Sequence, residues 1–191
     1  MNTKTSLALA AACSFLLPPL AISQTKPPEQ TRQKTTLELL QKRIGVVLVK
    51  GSSRIGTVKG DGGDVQVSAI EYLDTATGEK TRGIEFFLIA KSGSHPQIDY
   101  DEIEPLLKGI DRLVTLDKGI TELGQFEAVY RTKTNMTISL VASPFGKDLT
   151  TVLDANTLGG GIVFVGLEGL KELGRLIKEA KTKLDSLKPT K

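Results

Sequence analysis

Tryptophan is absent from the 191 residues, and cysteine and histidine occur once each. Aromatics are few altogether, with Phe 6 and Tyr 3. Zinc fingers, iron–sulfur sites and multi-histidine centres each draw several Cys or His ligands into one shell, so these counts exclude them. A single Cys likewise excludes a disulfide scaffold. Sugar-binding sites favour aromatic platforms, so the missing Trp argues against a carboxylate-pair glycosidase, whose chemistry would otherwise need no histidine. Neither sign of charge dominates: 25 Lys+Arg face 22 Asp+Glu, a net +3. That balance, with charges alternating along the chain, speaks against nucleic acid as a partner.

Long apolar runs are lacking too, with one exception at the start. Lys4 is the only charge in the first 25 residues, and Leu7 to Leu17 is apolar. Pro18 and Pro19 break the run, and Ala21-Ile22-Ser23 places small residues before a cleavage point between Ser23 and Gln24. This is the pattern of a secretory signal peptide. The run is shorter than the roughly 20 residues a membrane span needs. Ala10-Ala11-Ala12-Cys13 has the outline of a bacterial lipobox, but the apolar run continues through Phe15, Leu16 and Leu17, where a lipidated Cys would end it. Removing 23 of 191 residues leaves a cysteine-free mature chain of 168, with 24 Lys+Arg against 22 Asp+Glu. A chain of that size buries about 70% of its unfolded surface and needs no disulfide.

Gln24 to Thr36, with Pro27 and Pro28, reads as a flexible polar leader. Thr36 to Ile44 fits a short amphipathic helix or the approach to the first strand. Val46 to Val49 is β-branched and continuous, with Arg54 to Lys59 as its expected return partner. Gly60-Asp61-Gly62-Gly63 is a turn by composition. Val65, Val67 and Ala69 alternate with Gln66 and Ser68, a half-buried strand running to about Leu73. Thr75 to Gly78 is a hairpin connection. Ile84 to Ala90 is apolar on both phases, as in a central strand covered on both faces. Asp101 and Glu104 have capping-box spacing ahead of Ile103, Leu106, Leu107, Ile110 and Leu113, which repeat at helical intervals up to about Leu116. A second strand block begins at Gln125, with Phe126, Ala128 and Tyr130 on one face and Glu127, Val129 and Arg131 on the other; a turn at Thr132–Asn135 and strands at Met136–Val141, Leu149–Leu153 and Ile162–Val165 follow. Leu167 to about Leu187 is a long amphipathic helix with one apolar stripe and one charged face, including an expected Glu179–Lys183 pair. Hairpin-length connections favour an α+β fold: a mainly antiparallel sheet of about six to eight strands, one mid-chain helix and a long C-terminal helix. Residues 37–191 form a single domain in this reading. No repeat with a period of 20–50 residues is visible.

Candidate chemistry is thin. Asp99, Asp101, Glu102 and Glu104 form the densest acid cluster, but their spacing is not that of a calcium loop, and a helix start accounts for them. Gly60 to Asp64 is a single imperfect copy of a calcium-binding glycine motif that works in tandem. Gly51 to Thr57 has a Walker-like outline without its Lys, and Gly159-Gly160-Gly161 opens a strand rather than a helix. His95 is the sole imidazole, in a loop with Ser92 and Ser94; no G-x-S-x-G elbow is present, though Ser52, Ser53, Ser139 and Ser143 stand elsewhere. The basic surplus of the last helix and tail, Lys188 and Lys191 included, reads as a solvated face. Asn135-Met136-Thr137 matches a glycosylation sequon. No catalytic, cofactor or metal residue is assigned.

Ile98, Asp101-Glu102-Ile103 and Leu113, followed by Tyr130-Arg131-Thr132, resemble a group of small exported bacterial proteins with a Tyr/Asp-rich approach to a short helix and a Leu/Lys-rich closing helix. The resemblance implies export; no activity is attached to the group, and it lends no site residue. The expectation is an exported protein, periplasmic or secreted, acting as a non-catalytic binding or structural domain of the envelope or extracellular space. It would have a protein or small-molecule partner and no transmembrane segment in its mature form. Two alternatives remain open: a hydrolase converging Asp99, Asp101, Glu102, Ser139 and Ser143, and a carrier of a small apolar ligand.

Overall fold

The computed structural model describes residues 34–90, 93–123, 125–142, 149–155 and 161–187. The expected signal segment with Cys13, the leader up to residue 33, Ser92, Ser143, residues 156–160 and the terminal lysines lie outside the described residues. All described residues belong to one compact unit, Arg32–Lys191.

Helix α1 (Thr36–Gln41) precedes β1 (Leu48–Gly60), β2 (Gly63–Asp74), β3 (Lys80–Ile89) and β4 (Gln97–Asp99). A 3₁₀ turn, Tyr100–Glu102, leads into α2 (Ile103–Val114). Then come β5 (Phe126–Arg131), β6 (Thr137–Ala142), β7 (Leu149–Asp154), β8 (Ile162–Gly166) and α3 (Leu167–Asp185). The fold is α+β, and its eight strands divide into two antiparallel sheets of four, each a meander in sequence order. Each half is therefore four strands followed by a helix. Among the described residues no helix is long and apolar enough to cross a membrane.

Between residues 34 and 44 the chain is a helix, because Thr35-Thr36-Leu37-Glu38 is a capping box. Glu38 N–H donates to Thr35 Oγ1 at 3.1 Å, and Thr35 N–H donates to Glu38 Oε2 at 3.3 Å. Two orphan donors are thereby satisfied reciprocally. Thr36, placed in the leader by its composition, is the first helical residue. Leu37 and Leu40 are buried on Ile70 and Tyr72, on the outer face of the first sheet.

Arg54 to Lys59 does not return against Val46–Val49. It continues the same 13-residue strand, with one register shift between Arg54 and Gly56. Gly51, Ser52 and Ser53 stay paired with Glu71, Ile70 and Ala69, so nothing reverses the chain there. Reversal comes at Gly62 and Gly63, whose φ of 81° and 155° suit glycine. β3 is central, paired with β2 and β4, yet it is not covered on both faces. Ile84, Phe86 and Leu88 are buried inward, whereas Phe87 is half-buried and Ile89 exposed, because α1 covers only the other end of the outer face.

The thirteen positions from Phe126 to Ile138 show how a turn fixes register. Asn135 N–H donates to Thr132 O and Thr132 N–H donates to Met136 O, each at 2.9 Å. Asn135 supplies the left-handed residue, φ 70°, of a three-residue hairpin loop with a bulge.

One core joins the inner faces of both sheets and the two long helices. Phe86, Ile98, Leu106, Ile110, Ile138, Leu140 and Ile177 are all essentially inaccessible. Each such side chain stabilises the fold by about 1.5–3 kcal/mol. α3 packs across β1 and β2, where Leu176 fills the space left by Gly56, and it crosses α2 where Ile110 meets Gly174. Glu179 binds Arg175 at 2.9 Å rather than the expected Lys183; Lys181 pairs forward with Asp185 at 2.9 Å. Asp61 and Phe164 exchange two backbone hydrogen bonds, 2.8 and 3.1 Å, which clamp the β1–β2 turn onto β8 and tie the sheets together.

Candidate functional site

Four consecutive residues, Asp99 to Glu102, stand where β4 ends, and their side chains reach three other elements. Asp99 is buried. Its carboxylate accepts from Thr36 N–H at 2.6 Å and Leu37 N–H at 3.0 Å, so it holds the start of α1 against β4. Tyr100 O–H donates to the Asp185 carboxylate at the end of α3, and Lys181 Nζ lies 5.7 Å from the tyrosine ring centroid. This hydrogen bond, with burial and the Asp185 charge behind it, pushes the Tyr100 phenol up; the same bond and the one from Lys181 hold Asp185 down. Lys133 Nζ donates to Asp101 Oδ2 at 2.9 Å, and Lys133 N–H donates to Glu102 Oε1 at 2.6 Å.

The capping box expected at Asp101 and Glu104 does not form. The 3₁₀ turn delays the helix, its N-cap becomes Glu102 without a side-chain cap bond, and Asp101 is diverted to Lys133. Glu102 is 5% exposed, and its Oε2 has no hydrogen-bond partner. Burial is the main force raising its pKa above the ordinary value; the Lys133 N–H and charge oppose this, while Asp99 and Asp101 add to it. Nearby Tyr130 is raised as well, by burial first and then by the Glu102 charge.

A carboxyl whose pKa is raised on folding holds its proton more tightly in the folded chain. Its contribution is complete below the ordinary Glu range and is lost as pH rises through the raised value. Glu102→Gln keeps an acceptor for Lys133 N–H and removes the buried charge, so urea melts of this variant should lose that segment of the pH profile and match or exceed wild type at pH 7. Glu102→Ala leaves Lys133 N–H without its acceptor and should cost about 1–3 kcal/mol. Equal pH profiles for Glu102→Gln and wild type would refute this account.

Beside this corner lies a cleft of about 650 Å³ lined by Thr36, Glu79, Lys80, Thr81, Arg82, Asp99, Tyr100, Asp101, Leu184, Asp185 and Leu187. A smaller one, about 220 Å³, lies along β1 and also touches Leu184 and Leu187. Arg82 Nε donates to Glu71 Oε2 at 2.8 Å, and Lys80 Nζ donates to Glu71 Oε1 at 3.1 Å. Burial alone would raise Glu71, but these two cations outweigh it and hold the carboxyl below the usual range.

Of the residues considered for hydrolysis that are described, Asp99 and Asp101 line the larger cleft. Glu102 turns to the β5–β6 turn, and Ser139 is buried in β6 between Val129 and Val152. Among the described residues no three His, Cys, Asp or Glu side chains are placed to hold a metal ion. His95 is exposed and stacks on Phe87, ring centroids 4.2 Å apart, lining neither cleft. Asn135 sits in the β5–β6 turn, where its Oδ1 accepts from Arg131 at 2.8 Å. The Lys80–Arg82–Glu71 group and the Tyr100–Asp185 link went unread in the sequence. Lys80 and Arg82 do share a strand face by their two-residue spacing; the Tyr100–Asp185 separation of 85 residues carries no such signal.

No protein-family model and no curated protein sequence matches this chain. One solved structure, from work on mutations in SsgB that correlate with longitudinal cell division during sporulation of Streptomyces coelicolor, is similar over 74% of this chain and 91% of its own at 10% identity and a TM-score of 0.28. A likeness that distant carries no argument about function.

Proposed function

We propose that this chain is an exported, non-catalytic binding domain, and that its ligand or partner occupies the cleft between β3, Tyr100 and the end of α3. The observation that carries the reading is the employment of the cleft's acids. Glu79 meets Arg43, Asp99 holds α1, Asp101 meets Lys133 and Asp185 meets Tyr100 and Lys181, so each is committed to the scaffold. Lys80 and Arg82 on one wall and Leu184 and Leu187 on the other suit an acidic ligand with an apolar part. Decanoate and a panel of acidic peptides, titrated calorimetrically into the purified protein, provide the test. Binding should weaken about tenfold in Arg82→Ala, the worth of one charge-assisted hydrogen bond. Turnover by purified protein that vanishes in Asp101→Asn would replace this reading with the hydrolase.

Export rests on the signal-like segment and the resemblance of the chain to small exported proteins. N-terminal sequencing of the protein from its own cells should begin at Gln24; a chain that starts at Met1 in the cytosol would refute it. A carrier of a small apolar ligand is the second reading, favoured by the two leucines shared by both clefts. Native mass spectrometry should then find a co-purified lipid-like mass.

A further inference from the structure

The two edges of the second sheet are finished differently. At β8 the edge is closed by the paired hydrogen bonds of Asp61 and Phe164, and the inward Val163 and Val165 are buried. At the other edge β5 pairs with β6 alone among the described residues. Its inward residues Phe126, Ala128 and Tyr130 are only half-buried, and Glu127, Val129 and Arg131 are exposed.

The turn after β5 tells which backbone groups face outward. Thr132 N–H donates to Met136 O, and bonded and non-bonded pairs alternate along an antiparallel ladder. Tyr130 and Ala128 therefore bond across to Ile138 and Leu140, and the N–H and C=O of Glu127, Val129 and Arg131 point to the open edge. Open edges are commonly guarded by lysine, proline, a bulge or a cover. β1, the long edge of the first sheet, carries Lys50, Arg54 and a register shift. β5 carries no lysine and no proline, its register is unbroken, and its charged residues are one Glu127 and one Arg131.

We propose that β5 is the strand through which two copies of this chain pair, antiparallel and symmetric about Val129. In that register Glu127 stands opposite Arg131 of the second copy, Ala128 opposite Tyr130 and Val129 opposite itself, and the symmetry repeats each pair. Two opposite-charge pairs fall on the exposed face, and small meets large on the inward face. The three outward-facing residues of each copy exchange six backbone hydrogen bonds. Moving the centre to Ala128 sets Glu127 against Val129, and moving it to Tyr130 sets Arg131 against Val129, so among these registers the one centred on Val129 pairs Glu127 with Arg131. Arg131 donates to Asn135 Oδ1 at 2.8 Å, and a guanidinium has donors enough to keep that bond while meeting Glu127 of the second copy. The result is a closed two-fold dimer in which two sheets of four become one of eight. This pairing is independent of what the cleft binds.

Sedimentation velocity of the purified protein, from about 1 to about 200 µM, should show a concentration-dependent dimer. Val129→Pro removes an N–H that β6 does not use, so the monomer should keep its circular dichroism and thermal melt while the dimer is lost. Glu127→Arg should weaken dimerisation at least about tenfold, and adding Arg131→Glu should restore it, since the charges are only exchanged. If Val129→Pro fails to fold, the charge reversal and its rescue decide alone. A monomer throughout the range, or a dimer indifferent to the charge reversal, overturns the proposal.

Discussion

Asp99→Ala is expected to lower the unfolding free energy by about 3 kcal/mol and to release α1 from the first sheet. The carboxylate accepts two backbone donors that no residue of α1 serves, Thr36 N–H at 2.6 Å and Leu37 N–H at 3.0 Å. A hydrogen bond to a charged group is worth roughly 1.5–3 kcal/mol, and Leu37, fully buried, leaves its donor without water once the acceptor is gone. Thr36 is exposed and can recover a water, so the loss falls short of two full bonds. Releasing α1 also uncovers Ile70 and Tyr72, which Leu37 and Leu40 now bury. Asp99→Asn retains one acceptor oxygen and should cost about half as much. Urea unfolding followed by circular dichroism measures both. An alanine variant within about 0.5 kcal/mol of wild type would show that α1 is held by Leu37 and Leu40 alone.

Gly60→Val is expected to cost about 2–4 kcal/mol through forced separation of the two sheets. A Cβ at Gly60 would lie 2.5 Å from Phe164 O, 2.8 Å from Val163 Cγ1 and 2.9 Å from Val165 Cγ1. Backbone and two branched side chains of a strand cannot all give way, so the β1–β2 turn must lift from β8. Both Asp61–Phe164 hydrogen bonds then break. Amide exchange should report this locally, with protection lost at Asp61 and Phe164 before the core of either sheet. Gly51→Ala is the control. Its Cβ meets only Glu71 O at 3.8 Å in an exposed part of the same strand, and its stability should change by less than about 0.5 kcal/mol. Similar losses for both variants would mean that general strand flexibility, not close approach, governs this edge.

Much of the element plan was legible because it is local. Alternation at Val65–Ala69, helical spacing at Ile103–Leu113 and the turn residues at Gly60–Gly63 each need only neighbouring residues to act. The two readings of residues 36–44 were resolvable in principle, since Thr35 and Glu38 have capping-box spacing. Two local readings failed for a non-local reason. Asp101 has the right spacing to cap α2, but Lys133 takes its carboxylate across the fold. Arg54–Lys59 has no turn before it, and β2 offers a partner along all of β1, so the strand runs straight on.

Polar partnerships were hidden more deeply. Asp99 acts on residues 62 and 63 positions away, and Tyr100 on one 85 away. An acid cluster in the sequence looks like a site whether it serves ligands or scaffold, because the same carboxylate accepts from either. By itself the sequence determined an α+β chain of alternating strands and two amphipathic helices, since hydrophobic periodicity acts within one element. Only the tertiary structure decided that the strands split into two sheets, that Asp99 and Glu102 support the scaffold, and that Asp61 bridges β8 while β5, among the described residues, pairs with β6 alone. Those outcomes depend on which surfaces meet when the core is buried, and burial is a property of the whole chain.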